Sequence, residues 1–194
     1  MKNYISINDR KIELTEEQVG KIMDACGIGK VRLKNVQPGS LVTIGETEFV
    51  VLEQIDGEAT AAITRDLVCE DEAFGIDNNF DGSNADDICR KFGENLERET
   101  GEENLLTHDV DLTSDDGLKD YGTVERKVSL LTCDLYRRYV KILDKYKPSE
   151  WWWLATPLST KAHGIIYGVK CVAPSGYLNY YYCRSLYGVR PFCI

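Results

Sequence analysis

Hydrophobic and polar positions alternate in short runs along most of this chain, with two stretches of helical spacing between them. Ile5, Ile7, Ile12 and Leu14 flank Asn8-Asp9, an alternation around a turn signal that predicts a small hairpin. Thr15-Glu16-Glu17-Gln18 is a capping box, a hydroxyl N-cap with a glutamine three residues on. It should open a helix that runs to about Cys26, with Val19, Ile22, Met23 and Cys26 on one face and Gly27 as its stop. Residues 1–30 are therefore expected to be a small appendage, hairpin then helix, to a main domain over 31–194.

Pro38-Gly39 marks a turn. Residues 41–44, 48–52 and 59–64 then predict three antiparallel strands, joined through Gly45 and Asp56-Gly57. Ile88, Phe92 and Leu96 recur every four residues and predict a helix over 84–99. Residues 101–122 are acidic and rich in turn formers, the composition of a long surface loop. Thr132 is placed to N-cap a second helix over about 133–146, which Pro148 stops. Trp151-Trp152-Trp153-Leu154, residues 168–172, 177–180 and 188–194 read as short strands, with Ala173-Pro174-Ser175-Gly176 turning between the middle two. Strands, then two helices, then short strands, without regular alternation, give an α+β fold.

Composition narrows the function classes. The 194 residues are 43% hydrophobic and 28% charged, the profile of a globular protein of about one domain. No apolar run is long enough to span a bilayer, and the N-terminus lacks an apolar signal core. Membrane insertion is therefore not expected, and the reading is of a protein made in a cytoplasm without a Sec signal. Seven cysteines, an odd number, widely spread and without a Cys-x-x-Cys pair, argue against both a zinc site and a disulfide framework. The last 44 residues hold four basic residues and no acidic one, so the first 150 carry 19 basic and 32 acidic residues, a net −13. An acidic body with a mildly basic, aromatic end lacks the concentrated basic face of a nucleic-acid binder.

Candidate chemistry is sparse. Asp77-Asn78-Asn79-Phe80-Asp81-Gly82 begins like a calcium-binding EF-hand loop, but its twelfth position is Ile88 where a bidentate glutamate is needed. An Asx-rich turn before a helix explains the same residues. His108 and His163 are the only histidines, and neither has a serine or cysteine beside it in a nucleophile motif. Phosphate-loop, dinucleotide and zinc-protease motifs are missing. The three tryptophans, if in a strand, must point to both faces, with the inner ones anchoring a core. The tyrosines differ: Tyr177, Tyr180, Tyr181 and Tyr182 are too polar and too nearly consecutive for a one-sided core strand. Together with Tyr167, Asn179, Arg184, Ser185 and Tyr187 they have the composition of a binding surface, where tyrosine supplies contact area at little rotamer entropy.

These residues also carry a resemblance. Trp151-Trp152-Trp153-Leu154-Ala155-Thr156-Pro157, a Val-x-Cys-Val strand, a Ser-Gly turn and the closing Gly188-Val189-Arg190-Pro191-Phe192-Cys193-Ile194 resemble an uncharacterised domain common in gut bacteria and their phages. The likeness extends to Asn78-Asn79-Phe80, to the run from Asp111 to Gly117 and to the run from Leu130 to Tyr136. Ala155 stands where that group usually has arginine, so no role of that arginine carries over. The group is similar to the variable proteins of diversity-generating retroelements, which have a C-type lectin-like fold and a C-terminal segment rewritten at adenine-containing codons. The resemblance implies an α+β, C-type lectin-like domain over 31–194 with a variable binding region at about 155–187. It implies a non-enzymatic binder of a protein or glycan target on a cell surface, needing no cofactor, with a phage virion as one place of display. By analogy the displayed residues are His163, Ile165, Ile166, Tyr167, Lys170, Tyr177, Asn179, Tyr180, Tyr182, Arg184, Ser185 and Tyr187. The sugar-and-calcium motifs of calcium-dependent lectins do not occur. Two alternatives stay open: a structural phage or prophage protein without a variable ligand, and an oxidase like the formylglycine-generating enzymes, for which Cys171 and Cys183 are the available pair.

Overall fold

In the computed structural model the described residues are 4–7, 10–15, 18, 19, 21, 33–101 and 104–194. The chain divides into two compact units, Met1–Asn35 and Val36–Ile194. In the first, β1 (Tyr4–Ile7) and β2 (Arg10–Glu13) pair antiparallel, with Tyr4 opposite Glu13 and Ile7 opposite Arg10. The capping box forms reciprocally: the Thr15 N–H donates to Gln18 Oε1 at 3.0 Å and the Gln18 N–H donates to Thr15 Oγ1 at 3.3 Å. The expected apolar face at Ile22, Met23 and Cys26, and the stop at Gly27, lie outside the described residues.

The second unit is α+β. Five strands form one sheet in the order Leu178–Tyr182, Gly168–Val172, Trp152–Pro157, Leu186–Val189, Cys69–Ala73, and five form another in the order Leu41–Ile44, Thr47–Ile55, Ala59–Thr64, Phe192–Cys193, Val128–Ser129. The second begins with β3 (Leu41–Ile44), β4 (Thr47–Ile55) and β5 (Ala59–Thr64), an antiparallel meander as its alternation predicts. Asp56 and Gly57 turn between β4 and β5, both at positive φ. β6 (Cys69–Ala73) leads to α1 (Asn84–Thr100), N-capped by Ser83, whose side chain accepts from the Asp86 N–H.

The segment expected to be a surface loop differs. It contains β7 (His108–Asp111), paired with β8 (Thr123–Arg126), and it buries Leu105, Val110, Leu112 and Ser114. Its acidic residues mask a few inward-facing apolar ones, and those anchor it. β9 (Val128–Ser129) precedes α2 (Cys133–Leu143), N-capped by Thr132 as expected.

The last third builds the other sheet from β10 (Trp152–Pro157), β11 (Gly168–Val172), β12 (Leu178–Tyr182) and β13 (Leu186–Val189), while β14 (Phe192–Cys193) crosses into the meander sheet. The closing segment read as one strand is thus two, and the chain changes sheets at Arg190-Pro191. β10 and β13 run parallel, with Trp152 opposite Gly188. A Cβ on Gly188 would come within 2.3 Å of Leu67 Cδ1, so a larger residue there would require the Leu67 side chain to move.

Adjacent tryptophans fill two cores. Trp153 joins Phe74, Phe80, Ala155 and Val189 on one side of the sheet, and Trp152 joins Tyr136, Leu143, Leu154 and Val172 on the other. Both are essentially inaccessible, at 0% and 1% exposure. Burial of a ring of that size is worth on the order of 4–6 kcal/mol by area. The Trp153 indole N–H donates to the Glu72 carbonyl at 2.9 Å, so its polar atom is satisfied as well.

Candidate functional site

β12 is the outermost strand of its sheet. It pairs with β11 so that Tyr182 faces Gly168, Tyr181 faces Val169, Tyr180 faces Lys170 and Asn179 faces Cys171. Residues directly opposite share a face, so Tyr180 and Tyr182 project on one side and Tyr181 on the other. On the first side Tyr182 packs against Tyr167, ring centroids 5.3 Å apart, and both stay exposed. On the second, Tyr181 meets Trp151 edge-on at 5.3 Å and Tyr187 at 5.2 Å. Tyr187 lies half-buried beneath, 4.7 Å from Trp153, and burial, then Tyr181, pushes its phenol up to about 12.

The twelve expected site residues separate into two groups. Ile165, Tyr167, Tyr177, Tyr180, Tyr182 and Arg184 are exposed and stand at the surface. The other six are held. Lys170 is a correction: expected on the binding face, it is 8% exposed, and its Nζ donates to Asp115 Oδ2 at 3.0 Å. It stands beside Tyr180 on the neighbouring strand, and an ammonium buried there requires a carboxylate partner. His163 is exposed, but its Nδ1 lies 3.0 Å from Asp116 Oδ2. Ile166 accepts the Asn78 N–H on its carbonyl at 2.8 Å. Asn179 turns back to accept the Tyr180 N–H at 2.9 Å, and the Ser185 N–H donates to the Tyr182 carbonyl at 2.8 Å. Tyr187 supports Tyr181 as described.

Lys170, His163 and Ile166 belong to a clamp. The acidic turn after β7 supplies three carboxylates, each taken by the segment between β10 and β11 or by β11 itself. Asp115 takes Lys170, Asp116 takes the Ser159 hydroxyl at 2.6 Å and His163, and Asp120 takes the Thr160 hydroxyl at 2.6 Å. From the other side Asn78, fully buried, donates through Nδ2 to the carbonyls of Ser159 at 2.9 Å and Gly168 at 3.0 Å. Its Oδ1 accepts the Tyr121 hydroxyl at 2.7 Å. A buried amide with donors and acceptor all used fixes a loop far better than an apolar side chain could.

Hydrogen bonds from Ser114 and Ser159, with His163 adding to them, hold the Asp116 carboxyl well below its ordinary range. A carboxyl lowered in the folded state stabilises the fold above its unfolded value near 3.8 and ceases to as pH falls toward its folded one. Thermal stability should therefore decline from about pH 4 downward, and Asp116→Asn should flatten that part of a pH series followed by melting temperature.

Ser159, His163 and Asp116 together do not form a nucleophile relay. Ser159 Oγ and the carboxylate both approach the same ring nitrogen, Nδ1, at 3.5 and 3.0 Å, and the serine gives its proton to the carboxylate. A relay needs serine and carboxylate on opposite nitrogens. Burial pushes the Cys171 thiol up to about 12 and raises that of Cys183, the reverse of what a reactive cysteine requires. The calcium-like run is a turn: Asp77 accepts the Asn79 N–H at 3.0 Å and Asp81 is paired with Arg126 at 2.6 Å. Among the described residues no group of three or more His, Cys, Asp or Glu side chains is placed to hold a metal ion. No helix among them is long and apolar enough to cross a membrane.

Two surface residues escaped the sequence reading. Ile76 is 81% exposed and Leu186 is 58% exposed. Three backbone contacts bring their segments beside the tyrosine strand: Gly75 N–H to Cys183 O, Asn78 N–H to Ile166 O, and Cys183 N–H to Tyr167 O. Ile76 lies some ninety residues upstream, and nothing local in its sequence signals this placement. Of the eleven large hydrophobic side chains exposed among the described residues, eight are Ile76, Ile165, Tyr167, Tyr177, Tyr180, Tyr181, Tyr182 and Leu186. They lie on or next to the edge strand β12 and on the segments beside its C-terminal end, with Tyr177 at its N-terminal end and Tyr181 on its other face. A separate cleft of about 340 Å³, lined in part by Glu53, His108, Arg138, Tyr139 and Phe192, contains none of them. Its Glu53 is already occupied by Arg138 and by the Tyr139 hydroxyl, each at 2.6 Å. Comparison with protein-family models, with curated proteins and with solved structures returns no match for this chain.

Proposed function

We propose that this chain is a non-enzymatic target-recognition protein of C-type lectin-like fold, similar to the variable proteins of diversity-generating retroelements. The observation that carries the reading is the concentration of exposed tyrosines and aliphatics on the edge strand β12 and the segments beside it, over a frame locked by buried polar contacts. An exposed apolar concentration of this kind marks an interaction site. Tyrosine and arginine are the side chains on which binding energy concentrates. The segment that bears Ile165 and Tyr167 is fastened by residues outside it, Asn78, Asp115, Asp116 and Asp120, so those two side chains can change without loss of the frame. The target is a protein or glycan on a cell surface, met without a cofactor, and a phage virion is one place from which the protein would be displayed.

Population sequencing of the gene and its flanks tests this. Substitutions should concentrate at the codons of Ile165, Tyr167, Tyr177, Tyr180, Tyr182 and Arg184. They should match adenines in a nearby near-copy and spare Trp152, Trp153 and Arg190. Variation spread evenly, with no near-copy, would overturn the retroelement reading and favour a structural phage protein.

A further inference from the structure

The chemistry of the exposed residues narrows the target. We infer that this surface recognises a protein segment that presents a carboxylate among apolar side chains, and that Arg184 is the residue that meets the carboxylate. The inference rests on the reading of the surface as a target-binding one.

Arg184 stands apart from the other arginines whose side chains are described. Arg65, Arg90, Arg126, Arg137 and Arg138 each pair with a carboxylate, Arg98 bonds to Asn95, and Arg190 donates to backbone carbonyls. Arg184 is exposed and, among the described residues, makes no side-chain hydrogen bond or ion pair, in a chain with 32 acidic residues. It sits on the turn between Tyr182 and Leu186. No Asp or Glu occurs from residue 151 onward. The acidic residues whose segments adjoin this turn are engaged: Glu72, opposite Tyr187, accepts from the Asn84 side chain, and Asp77 accepts the Asn79 N–H. A guanidinium left free amid tyrosines is suited to a planar, two-point contact with a carboxylate from outside.

The aliphatic residues favour a protein over a sugar. Tyrosine planes serve either, but Ile76, Ile165 and Leu186, exposed by 81%, 46% and 58%, gain only by excluding water against another apolar surface. Strand addition to β12 is disfavoured. The ladder continues from Tyr177 O, which accepts the Ala173 N–H, to Cys183 N–H, which donates to Tyr167 O, so odd-numbered residues bond inward and even-numbered ones face outward. Of the outward groups, the Tyr180 N–H is taken by Asn179 and the Tyr182 carbonyl by Ser185. Recognition therefore falls to side chains.

The experiment selects a displayed library of random twelve-residue peptides on the immobilised full chain, with counter-selection on the Tyr180→Ala, Tyr182→Ala double variant. Selected peptides should combine Asp or Glu with apolar residues. Their affinity should drop at least tenfold for Arg184→Ala, and selection on Arg184→Glu should yield basic peptides instead. Melting temperatures of both Arg184 variants should match the parent, since the side chain is exposed and makes no hydrogen bond or ion pair among the described residues. Tyrosine-dependent peptides without acidic residues, or indifferent to Arg184, would overturn this inference and leave the binding reading standing. The same holds for tyrosine-dependent binding on a glycan array with no peptide selected. If neither peptides nor glycans bind in a tyrosine-dependent way, both fall.

Discussion

Replacing Arg190 with alanine is expected to destabilise the second unit by about 3–5 kcal/mol, a fall in melting temperature on the order of 10 °C. The side chain is 0% exposed. Its Nε donates to the Thr64 carbonyl at 2.8 Å, and its Nη2 donates to the carbonyls of Arg65 at 2.9 Å and Tyr146 at 3.1 Å. The guanidinium also lies over the Trp152 ring, 5.3 Å from its centroid. Burial lowers its pKa to about 10, so the cation persists through the neutral range without a carboxylate in direct contact. Alanine would strand three carbonyls and leave a cavity beneath Trp152, two costs that add. Lysine should recover less than half of the loss, because a single ammonium cannot reproduce the fork that reaches carbonyls on two segments. Chemical denaturation of the three proteins checks this. A loss under 1 kcal/mol for alanine would mean that Arg190 does not pin the crossing between the sheets.

The double substitution Tyr180→Ala, Tyr182→Ala is expected to weaken binding of a selected ligand by a factor on the order of 100 or more while leaving the melting temperature within a degree or two. The binding figure supposes about 2 kcal/mol or more for each central aromatic contact, with partial non-additivity. The stability figure follows from exposure: Tyr180 and Tyr182 are 52% and 48% exposed. Both rings stand on the open face, whereas Tyr181 and Tyr187 brace Trp151 on the other. Tyr187→Ala should show the opposite pattern, a loss of stability from the contact with Trp153, and so serves as the internal contrast. Titration calorimetry beside a thermal melt separates the two. Unchanged affinity in the double variant would remove Tyr180 and Tyr182 from the binding surface.

Legibility was uneven, for reasons that can be traced to particular residues. The meander over β3 to β5, the Thr132 cap and the opposed directions of Trp152 and Trp153 follow from rules acting over a few residues, and the structure has them. The division of Tyr180 and Tyr182 from Tyr181 also follows, from strand alternation alone. The buried strand within residues 101–122 was hidden because Val110 and Leu112 are outnumbered by acidic neighbours that face outward.

What the sequence by itself determined is the kind of surface: an aromatic, carboxylate-free final segment on an acidic α+β protein. Which of its residues are displayed was decided only in three dimensions. Lys170 and Tyr180 lie ten residues apart and stand opposite in the sheet, yet one is buried because Asp115 approaches from a turn fifty-five residues earlier. Ile76 joins the surface through backbone bonds to segments some ninety residues later. Local pattern sets which side of a strand a residue occupies, because the pleat repeats every two residues. Whether that side is covered depends on what another part of the chain lays over it, and long-range packing leaves no local mark in the sequence.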